Sequence, residues 1–107
     1  MIARMWRGPV RKALKQAYIE YLKETGLPDY ARTPGNRGVW LLCQDKGTEV
    51  EFTTLTLWDS IESVKAFAGQ DYERARYYPR DREFLTRFDP TVEHFEVVEL
   101  PSGSSGP

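Results

Sequence analysis

The sequence FTTLTLWDSIESVKAFAGQDYERARYY, residues 52–78, decides the fold that we predict for this chain. Its first part, residues 52–58, is rich in the β-branched and aromatic side chains of a strand. Asp59 then stands where a helix N-cap is expected, with Glu62 three residues later in capping-box spacing. Apolar residues at helical spacing follow, and residues 71–78 predict a second short helical piece. The segment is therefore predicted to be a strand that turns directly into a helical region.

The flanking sequence supplies the remaining elements of this predicted fold. Gly8-Pro9 is expected to end a first strand, and Gly26 to stop a first helix at its C′ position. The predicted elements are a strand over residues 2–7, a helix over 11–25, a loop over 27–37, strands over 39–44 and 49–58, and a last strand over 91–100. The order strand, helix, strand, strand, helix, strand predicts a ferredoxin-like α+β fold. Its two helices would cover one face of a four-stranded antiparallel sheet.

The two middle strands carry apolar side chains on both of their faces. In the first of these strands Trp40 and Leu42 oppose Leu41, and in the second Leu55 and Leu57 oppose Phe52. Since two helices cover only one face, the other face needs a partner, and we predict a homodimer with its sheets packed face to face. A monomer with a somewhat apolar surface is the alternative.

Composition narrows the classes of protein that this chain can represent. Its 107 residues indicate one domain, which we place at residues 1–99, followed by a flexible Gly/Ser/Pro tail over 100–107. The net charge of −1, with basic and acidic residues interleaved, argues against a nucleic-acid partner. No apolar run approaches the roughly 20 residues of a membrane span, and the first residues do not resemble a signal peptide. Cys43, the single cysteine, is expected to be a buried small hydrophobe, and we expect a cytoplasmic protein.

Four segments of the chain resemble the antibiotic biosynthesis monooxygenase family. They are IARMWRG at residues 2–8, LTLWDSIESVKAF at 55–67, DYERARYYP at 71–79 and VEHFEV at 92–97. The resemblance covers roughly residues 1–99 and implies a dimeric α/β barrel with a pocket between the sheet and the helices of each protomer. It also implies one of two activities, the cofactor-independent oxygenation of aromatic or quinol substrates or the degradation of haem.

The haem-degrading branch of that family uses an Asn, a Trp and a His. The resemblance places these positions near Trp6, Phe67 and Tyr77, so all three are replaced. We therefore do not expect haem degradation of that type, and we expect no cofactor. One His, one Cys and scattered carboxylates show no metal-ligand spacing either, so no metal site is predicted.

Two residues are candidates for catalysis. His94, the only histidine, has a side chain that titrates near neutral pH and could serve as a general base or as a ligand. It could equally be a strand residue paired with Glu93 or Glu96. Tyr77 could donate a proton or a hydrogen bond to a substrate oxygen, or pack at the end of a helix.

Five further residues are candidates for substrate binding. Trp6 and Trp58 could line a pocket for a flat aromatic ring, or belong to the core. Phe67 and Tyr78 lie in the segment that the resemblance places beside that pocket. Arg4 is the one charge among the apolar residues of the first strand, and either pairs with a strand carboxylate or holds an anionic group of a ligand.

Three functions are compatible with these residues. The first is a cofactor-independent monooxygenase of a small aromatic or quinol-like substrate. The second is a non-catalytic dimer that binds a small hydrophobic molecule or haem. The third is a structural role, which a cavity filled by side chains would favour; the fold alone does not choose among them.

Overall fold

Four antiparallel strands form one sheet, with the helices on one face; the first strand of the chain lies between the third and the fourth, and the second lies at the edge beside the third. The computed structural model describes residues 1–101, so most of the predicted tail lies outside the described residues. The elements are β1 (Ile2–Arg11), α1 (Lys15–Glu24), α2 (Gly26–Arg32), β2 (Asn36–Asp45), β3 (Glu49–Trp58), α3 (Ile61–Ala68) and β4 (Glu93–Glu96), with short 3₁₀ turns at Lys12–Leu14 and Asp81–Glu83. The predicted ferredoxin-like α+β fold is confirmed.

β1 continues past the Gly8-Pro9 pair that was expected to end it. The Pro9 carbonyl accepts a hydrogen bond from the Thr86 backbone N–H at 3.0 Å. Both backbone groups of a residue in an antiparallel strand point the same way, so the missing N–H of Pro9 faces Thr86 rather than β3. The proline therefore removes no hydrogen bond between β1 and β3.

The predicted loop over residues 27–37 is wrong, because most of it forms α2 and the start of β2. Gly26 does not have the positive φ of a C′ glycine and begins α2 instead. The backbone of Thr25, at φ −120° and ψ −85°, separates the two helices. Pro28 lies in the first turn of α2, where backbone N–H groups have no partner within the helix and its missing N–H costs nothing.

Two further predictions around α3 are wrong. Ser60, not Asp59, caps the helix and accepts a hydrogen bond from the Ser63 backbone N–H at 3.3 Å. The side chain of Asp59 instead pairs with Arg37, at 2.6 Å. Residues 71–78 form no helix, since their backbone bonds outward to the segment before β4, as in the bridge between Arg74 and Thr91.

β4 is shorter than the predicted strand and pairs with only the first half of β1. Its register places Glu93, His94, Phe95 and Glu96 opposite residues 5 to 2 of β1. The second half of β1 is left to the segment around Leu85, which forms an isolated bridge with Val10. The second half of this edge of β1 is therefore covered by the segment around Leu85, which has no regular secondary structure. Phe84 and Leu85 of the same segment also pack into the core on the helix face.

The sheet has one covered and one uncovered face, as the alternation of its strands predicts. Buried aromatic and aliphatic residues join the covered face to the helices in two clusters, which centre on Phe52 and Trp58. On the opposite face Trp40 and Leu42 are each 47% exposed and Phe95 is 44% exposed. This face is an apolar surface without a partner in the single chain, and the homodimer remains a prediction. Cys43 is exposed, contrary to the expectation that it is buried.

Candidate functional site

A small cavity, here called the central cavity, lies between the covered face of the sheet and the helices. β1 and β3 contribute Arg4, Trp6 and Thr54 to its lining, and Tyr30 of α2 and Phe67 of α3 contribute aromatic rings. Its free volume is about 30 Å³, room for about two water molecules. The cavity is therefore narrow in this conformation, and side chains fill most of the space between the layers.

Arg4 is the charged residue of the central cavity. It is only 3% exposed, and its Nη2 donates to the backbone carbonyls of Arg74 at 3.0 Å and Tyr72 at 3.4 Å. Its Nε is buried and has no acceptor among the described residues. Burial lowers the pKa of the guanidinium, with smaller effects from Tyr30, which raises it, and Arg76, which lowers it. Both predicted alternatives needed an anion, and residues 1–101 offer Arg4 no carboxylate within ion-pair distance.

Aromatic rings surround this guanidinium. The Arg4 guanidinium carbon lies 5.7 Å from the centre of the Phe67 ring, and that of Arg76 lies 4.7 Å from the same ring. Tyr30 stacks on Phe67 with 4.6 Å between ring centres and 28° between the planes. The cavity thus combines a positive end with flat apolar walls, which suits an aromatic ligand with an anionic oxygen.

Trp6 is held at the cavity by Tyr77. The indole Nε1 donates to the Tyr77 hydroxyl at 3.3 Å, and that hydroxyl donates to the Asp89 carbonyl at 2.6 Å. Burial raises the pKa of Tyr77, and the hydrogen bond from Trp6 opposes this effect. Tyr77 is outside the residues that line the central cavity, so in this conformation it contacts that space through Trp6.

Asp81 is a lining residue that the sequence did not single out. It lies in a run of alternating acidic and basic residues, a pattern typical of an exposed surface, yet Asp81 is only 4% exposed. Its Oδ2 accepts a hydrogen bond from the Tyr78 backbone N–H at 2.6 Å. Burial raises the pKa of its carboxyl, and the bond from Tyr78 opposes that effect. No local signal marks such a residue, because its burial comes from packing against distant elements.

Asp29 binds two of the side chains that line the central cavity. Its carboxylate accepts hydrogen bonds from the Tyr78 hydroxyl at 2.6 Å and from Arg76 at 3.1 Å, and it also pairs with Arg32. These contacts tie α2 to the irregular segment that follows α3. Tyr78 and Arg76 both line the cavity, so Asp29 fixes the positions of two lining side chains without lining the cavity itself.

His94 lies on the same face of the sheet as Arg4 but in a separate crevice. The register pairs the two residues, and the crevice of about 260 Å³ is also lined by Tyr72 and Glu73. The Nε2 of His94 is buried without a partner among the described residues. Burial and Arg4 lower the pKa of the imidazole, while Glu73 raises it. The sequence left open which face His94 occupies, and the structure places it on the helix face.

Of the predicted binding residues, Arg4, Trp6, Phe67 and Tyr78 line the central cavity together. Trp58 lines neither cavity; it is fully buried, and its Nε1 donates to the Thr56 hydroxyl at 2.8 Å. The roles of these residues toward a ligand remain predictions.

The described residues contain neither a cluster of metal-ligating side chains nor a membrane-spanning helix. Nowhere in residues 1–101 do three or more His, Cys, Asp or Glu side chains converge in a way that could hold a metal ion. Within the same range, the helices are too short and too polar to cross a membrane.

Comparison with known proteins finds solved structures but no family or curated relative. No protein-family model and no curated protein matches the sequence. A variant of MhuD with two manganese protoporphyrin IX molecules bound per active site is 23% identical, covering 96% of this chain and 100% of its own, with a TM-score of 0.61. A Bacillus cereus protein provisionally assigned as an antibiotic biosynthesis monooxygenase is 13% identical, covering 94% of this chain and 97% of its own, with a TM-score of 0.61 as well.

A third solved structure is the heme-degrader MhuD from Mycobacterium tuberculosis with two hemes bound in its active site. It is 25% identical, covers 94% of this chain and 99% of its own, and has a TM-score of 0.54. The structural neighbours are thus heme-degrading and monooxygenase-type proteins, as the resemblance predicts. At these identities the agreement is one of fold.

Proposed function

We propose that this protein is a cofactor-independent monooxygenase of a small aromatic or quinol-like substrate, which it binds in the central cavity. The observation that carries the proposal is the buried guanidinium of Arg4, which lines a cavity with aromatic walls and has no carboxylate partner within residues 1–101. A buried charge without a counter-ion is costly to the folded state. A phenolate or enolate oxygen of a substrate supplies the missing counter-ion.

The proposed reaction needs a substrate anion, dioxygen and a site that excludes water. Arg4 stabilises the anion, and the rings of Trp6 and Phe67 orient its aromatic plane. For a hydroxyanthrone, the anion transfers one electron to dioxygen, and the resulting radical pair combines to a carbon-bound peroxide. Loss of water from the peroxide converts a ring CH₂ into a carbonyl, so one oxygen atom enters the product and the other leaves as water.

We assign supporting roles to the remaining predicted residues. His94 is a candidate base only for a substrate that extends from the central cavity into the crevice beside Arg4, where its Nε2 has no partner among the described residues. Tyr77 has a positioning role: it accepts the hydrogen bond from the indole of Trp6 and donates its own proton to the Asp89 carbonyl. Tyr78 closes the cavity through Asp29, and Trp58 supports Phe67 from the core, with 5.5 Å between their ring centres.

Substrate entry requires the central cavity to widen. Pockets that bind drug-sized ligands have volumes of about 300–1,000 Å³, far above the space present here. The contacts of Asp29 with Tyr78 and Arg76 hold two of the lining side chains in place. We propose that these contacts open and close with each substrate, which is a common way to exclude water from a reaction.

Oxygen uptake with a panel of hydroxyanthrones and naphthoquinols tests this function. The wild-type protein should consume oxygen and transfer one atom of isotopically labelled dioxygen to the product. Arg4→Met should abolish this activity, and Arg7→Met should retain it, because Arg7 is exposed and pairs with Glu93 on the other face. Uptake that is no faster with wild-type protein than with Arg4→Met would contradict the proposal.

Haem binding is the second candidate, and it is favoured by the two MhuD structures with porphyrins in their active sites. The residues of this chain do not fit that group. No histidine lines the central cavity, Trp6 and Phe67 fill the relevant positions, and the Tyr77 hydroxyl is already hydrogen-bonded. A hemin titration followed by absorption spectroscopy should therefore show no saturable shift of the Soret band, and a saturable shift would favour the binding function.

We also propose that two copies of the chain pair through the uncovered face of the sheet. The supporting observation is an exposed apolar surface that contains Trp40, Leu42 and Phe95 and joins a shallow apolar groove beside Leu55 and Val97. Soluble monomers seldom expose a contiguous surface of this kind. Native mass spectrometry of the purified protein should show a dimer, and a monomer would contradict this pairing.

A further inference from the structure

We infer that the ligand of the central cavity carries an ionisable hydroxyl that donates to Asp81 and a second oxygen that accepts from Arg4, and that Asp81 receives the hydroxyl proton. A quinol or a hydroxyaryl ketone has this pattern. The inference deepens the proposed function by naming the substrate class and the proton acceptor. Its binding part does not depend on turnover.

Asp81 and Arg4 are the two buried charged residues that line the central cavity. Asp81 is 4% exposed and Arg4 is 3% exposed. Oδ2 of Asp81 accepts from the Tyr78 backbone N–H, while its Oδ1 accepts no hydrogen bond from any residue in the range 1–101. Nη2 of Arg4 donates to two backbone carbonyls, and its Nε has no acceptor within residues 1–101. Each residue thus retains unused hydrogen-bonding capacity at the same small space.

The two charges do not neutralise one another. No ion pair joins them within the described residues, and the pKa of Asp81 responds to its burial and to the Tyr78 N–H rather than to a cation. Tyr30 stands within the field of both. Burial has the largest effect and raises the pKa of its hydroxyl. The hydrogen bond with Thr54 and the charges of Arg4 and Arg76 lower this pKa, and Asp81 raises it. The cavity therefore has a positive and a negative end that an occupant can bridge.

The chemistry of the two ends defines the occupant. A carboxylate only accepts hydrogen bonds, and a guanidinium only donates them. The occupant must then offer a donor to Asp81 and an acceptor to Arg4, and the rings of Trp6 and Phe67 require a flat body between these groups. An aromatic ring that carries a hydroxyl and a second oxygen meets all three requirements.

Proton transfer follows from the same arrangement. The substrate O–H bond breaks, its proton passes to Oδ1 of Asp81, and the electron pair remains on the phenolate oxygen. Dioxygen, the oxidant, then takes one electron from this anion. The substrate radical and superoxide combine to a peroxide at a ring carbon that carries a hydrogen. When the O–O bond breaks, the departing oxygen takes the proton of Asp81 and the hydrogen of that carbon and leaves as water, so a carbonyl forms and the carboxylate is regenerated. A buried carboxyl is suited to this exchange, because burial brings its pKa closer to that of the hydroxyl.

A pair of ligands that differ only in their hydroxyl protons tests the inference. A naphthoquinol offers hydroxyl donors, and the matching naphthoquinone offers only carbonyl acceptors. Affinities are measured anaerobically by quenching of tryptophan fluorescence, for the wild-type protein, Asp81→Asn and the control Asp45→Asn. The carboxamide oxygen of the first variant can still accept from the Tyr78 N–H, and Asp45 is an exposed residue of the β2–β3 turn.

We expect the wild-type protein to prefer the quinol. Asp81→Asn should weaken quinol binding about tenfold or more, the cost of a hydrogen bond to a charged group. It should leave quinone binding unchanged or tighter, because the carboxamide can donate to a carbonyl. Asp45→Asn should change neither affinity. Arg4→Met should weaken both ligands, since both present an acceptor to the guanidinium, and it tests the other end of the cavity if Asp81→Asn fails to fold.

Several results would overturn the inference: equal loss of both ligands in Asp81→Asn, no loss of the quinol, or no binding of either ligand by the wild-type protein. The enzyme proposal fails separately. A switch in preference without oxygen uptake would leave the inference standing and refute the monooxygenase. Oxygen uptake that is unchanged in Asp81→Asn would support the monooxygenase and refute the role of Asp81.

Discussion

Replacing Arg4 with methionine separates a functional charge from a structural one. Methionine has a similar length and keeps apolar contact with Phe67, but it carries neither charge nor donors. If Arg4 serves a ligand, the variant should keep its fold and lose its ligand. If Arg4 serves the fold, the two backbone carbonyls that it contacts should make its loss costly.

The size of the effect follows from the contacts of Arg4. The variant loses a 3.0 Å hydrogen bond to the Arg74 carbonyl and a weaker one at 3.4 Å to that of Tyr72. A hydrogen bond to a charged group contributes about 1.5–3 kcal/mol, and the longer one contributes less. Against this, the folded state no longer buries a guanidinium that lacks a counter-ion, which costs several kcal/mol. The opposing effects should leave the free energy of unfolding within about 1 kcal/mol of the wild-type value.

Urea unfolding and ligand titration together test this reasoning. Stability should change little, while affinity for a naphthoquinol should fall about 100-fold, as expected when a charged donor to a buried oxyanion is removed. Arg7→Met, on the exposed face of the same strand, should alter neither measurement by much. A loss of more than about 3 kcal/mol of stability with unchanged affinity would refute the argument and make Arg4 a structural residue.

The remaining predictions concern the dimer, the crevice, the core and Asp81. Trp40→Glu should convert the dimer to a folded monomer in light scattering, because a charge would be buried between the sheets. Burial and Arg4 lower the pKa of His94, so the unfolded chain binds the imidazole proton more readily than the folded chain does. The free energy of unfolding in urea should therefore fall as the pH drops below about 6.5, and His94→Gln should weaken that pH dependence. Phe52→Ala should lower the free energy of unfolding by about 3–5 kcal/mol in the same assay, since the ring is fully buried, with its centre 5.0 Å from that of Tyr18. Burial raises the pKa of Asp81, so its ionisation opposes folding as the pH rises through that pKa, and Asp81→Asn should be more stable than wild type at pH 7 but not near pH 3.

Local patterns in the sequence were sufficient where one element could be interpreted by itself. The period-two alternation of β3 gave both its bounds and its two faces, and the apolar stripe of α1 located that helix. The turn signals were less informative. Proline and glycine at 8–9 and 26–28 indicated breaks, yet the chain continues as strand or helix there, because the free side of β1 and the first turn of α2 need no N–H at the proline.

Segment 71–78 shows how tertiary contacts override local preference. Its sequence has acceptable helix formers, but its backbone bonds to the chain before β4, and its carbonyls accept from Arg4. These partners are far away in the sequence, so no window around the segment contains them.

The sequence by itself determined the order of the elements, the two faces of the sheet and the apolar character of the uncovered one, because periodicity is a local property of the chain. It also drew attention to Arg4, Trp6, Phe67 and Tyr78. Only the tertiary structure decided that Asp81 joins them, that His94 lies in a separate crevice and that the central cavity is narrow. Burial and the pairing of charges depend on which distant segments pack together, and therefore the chemistry of the cavity became visible only in the folded chain.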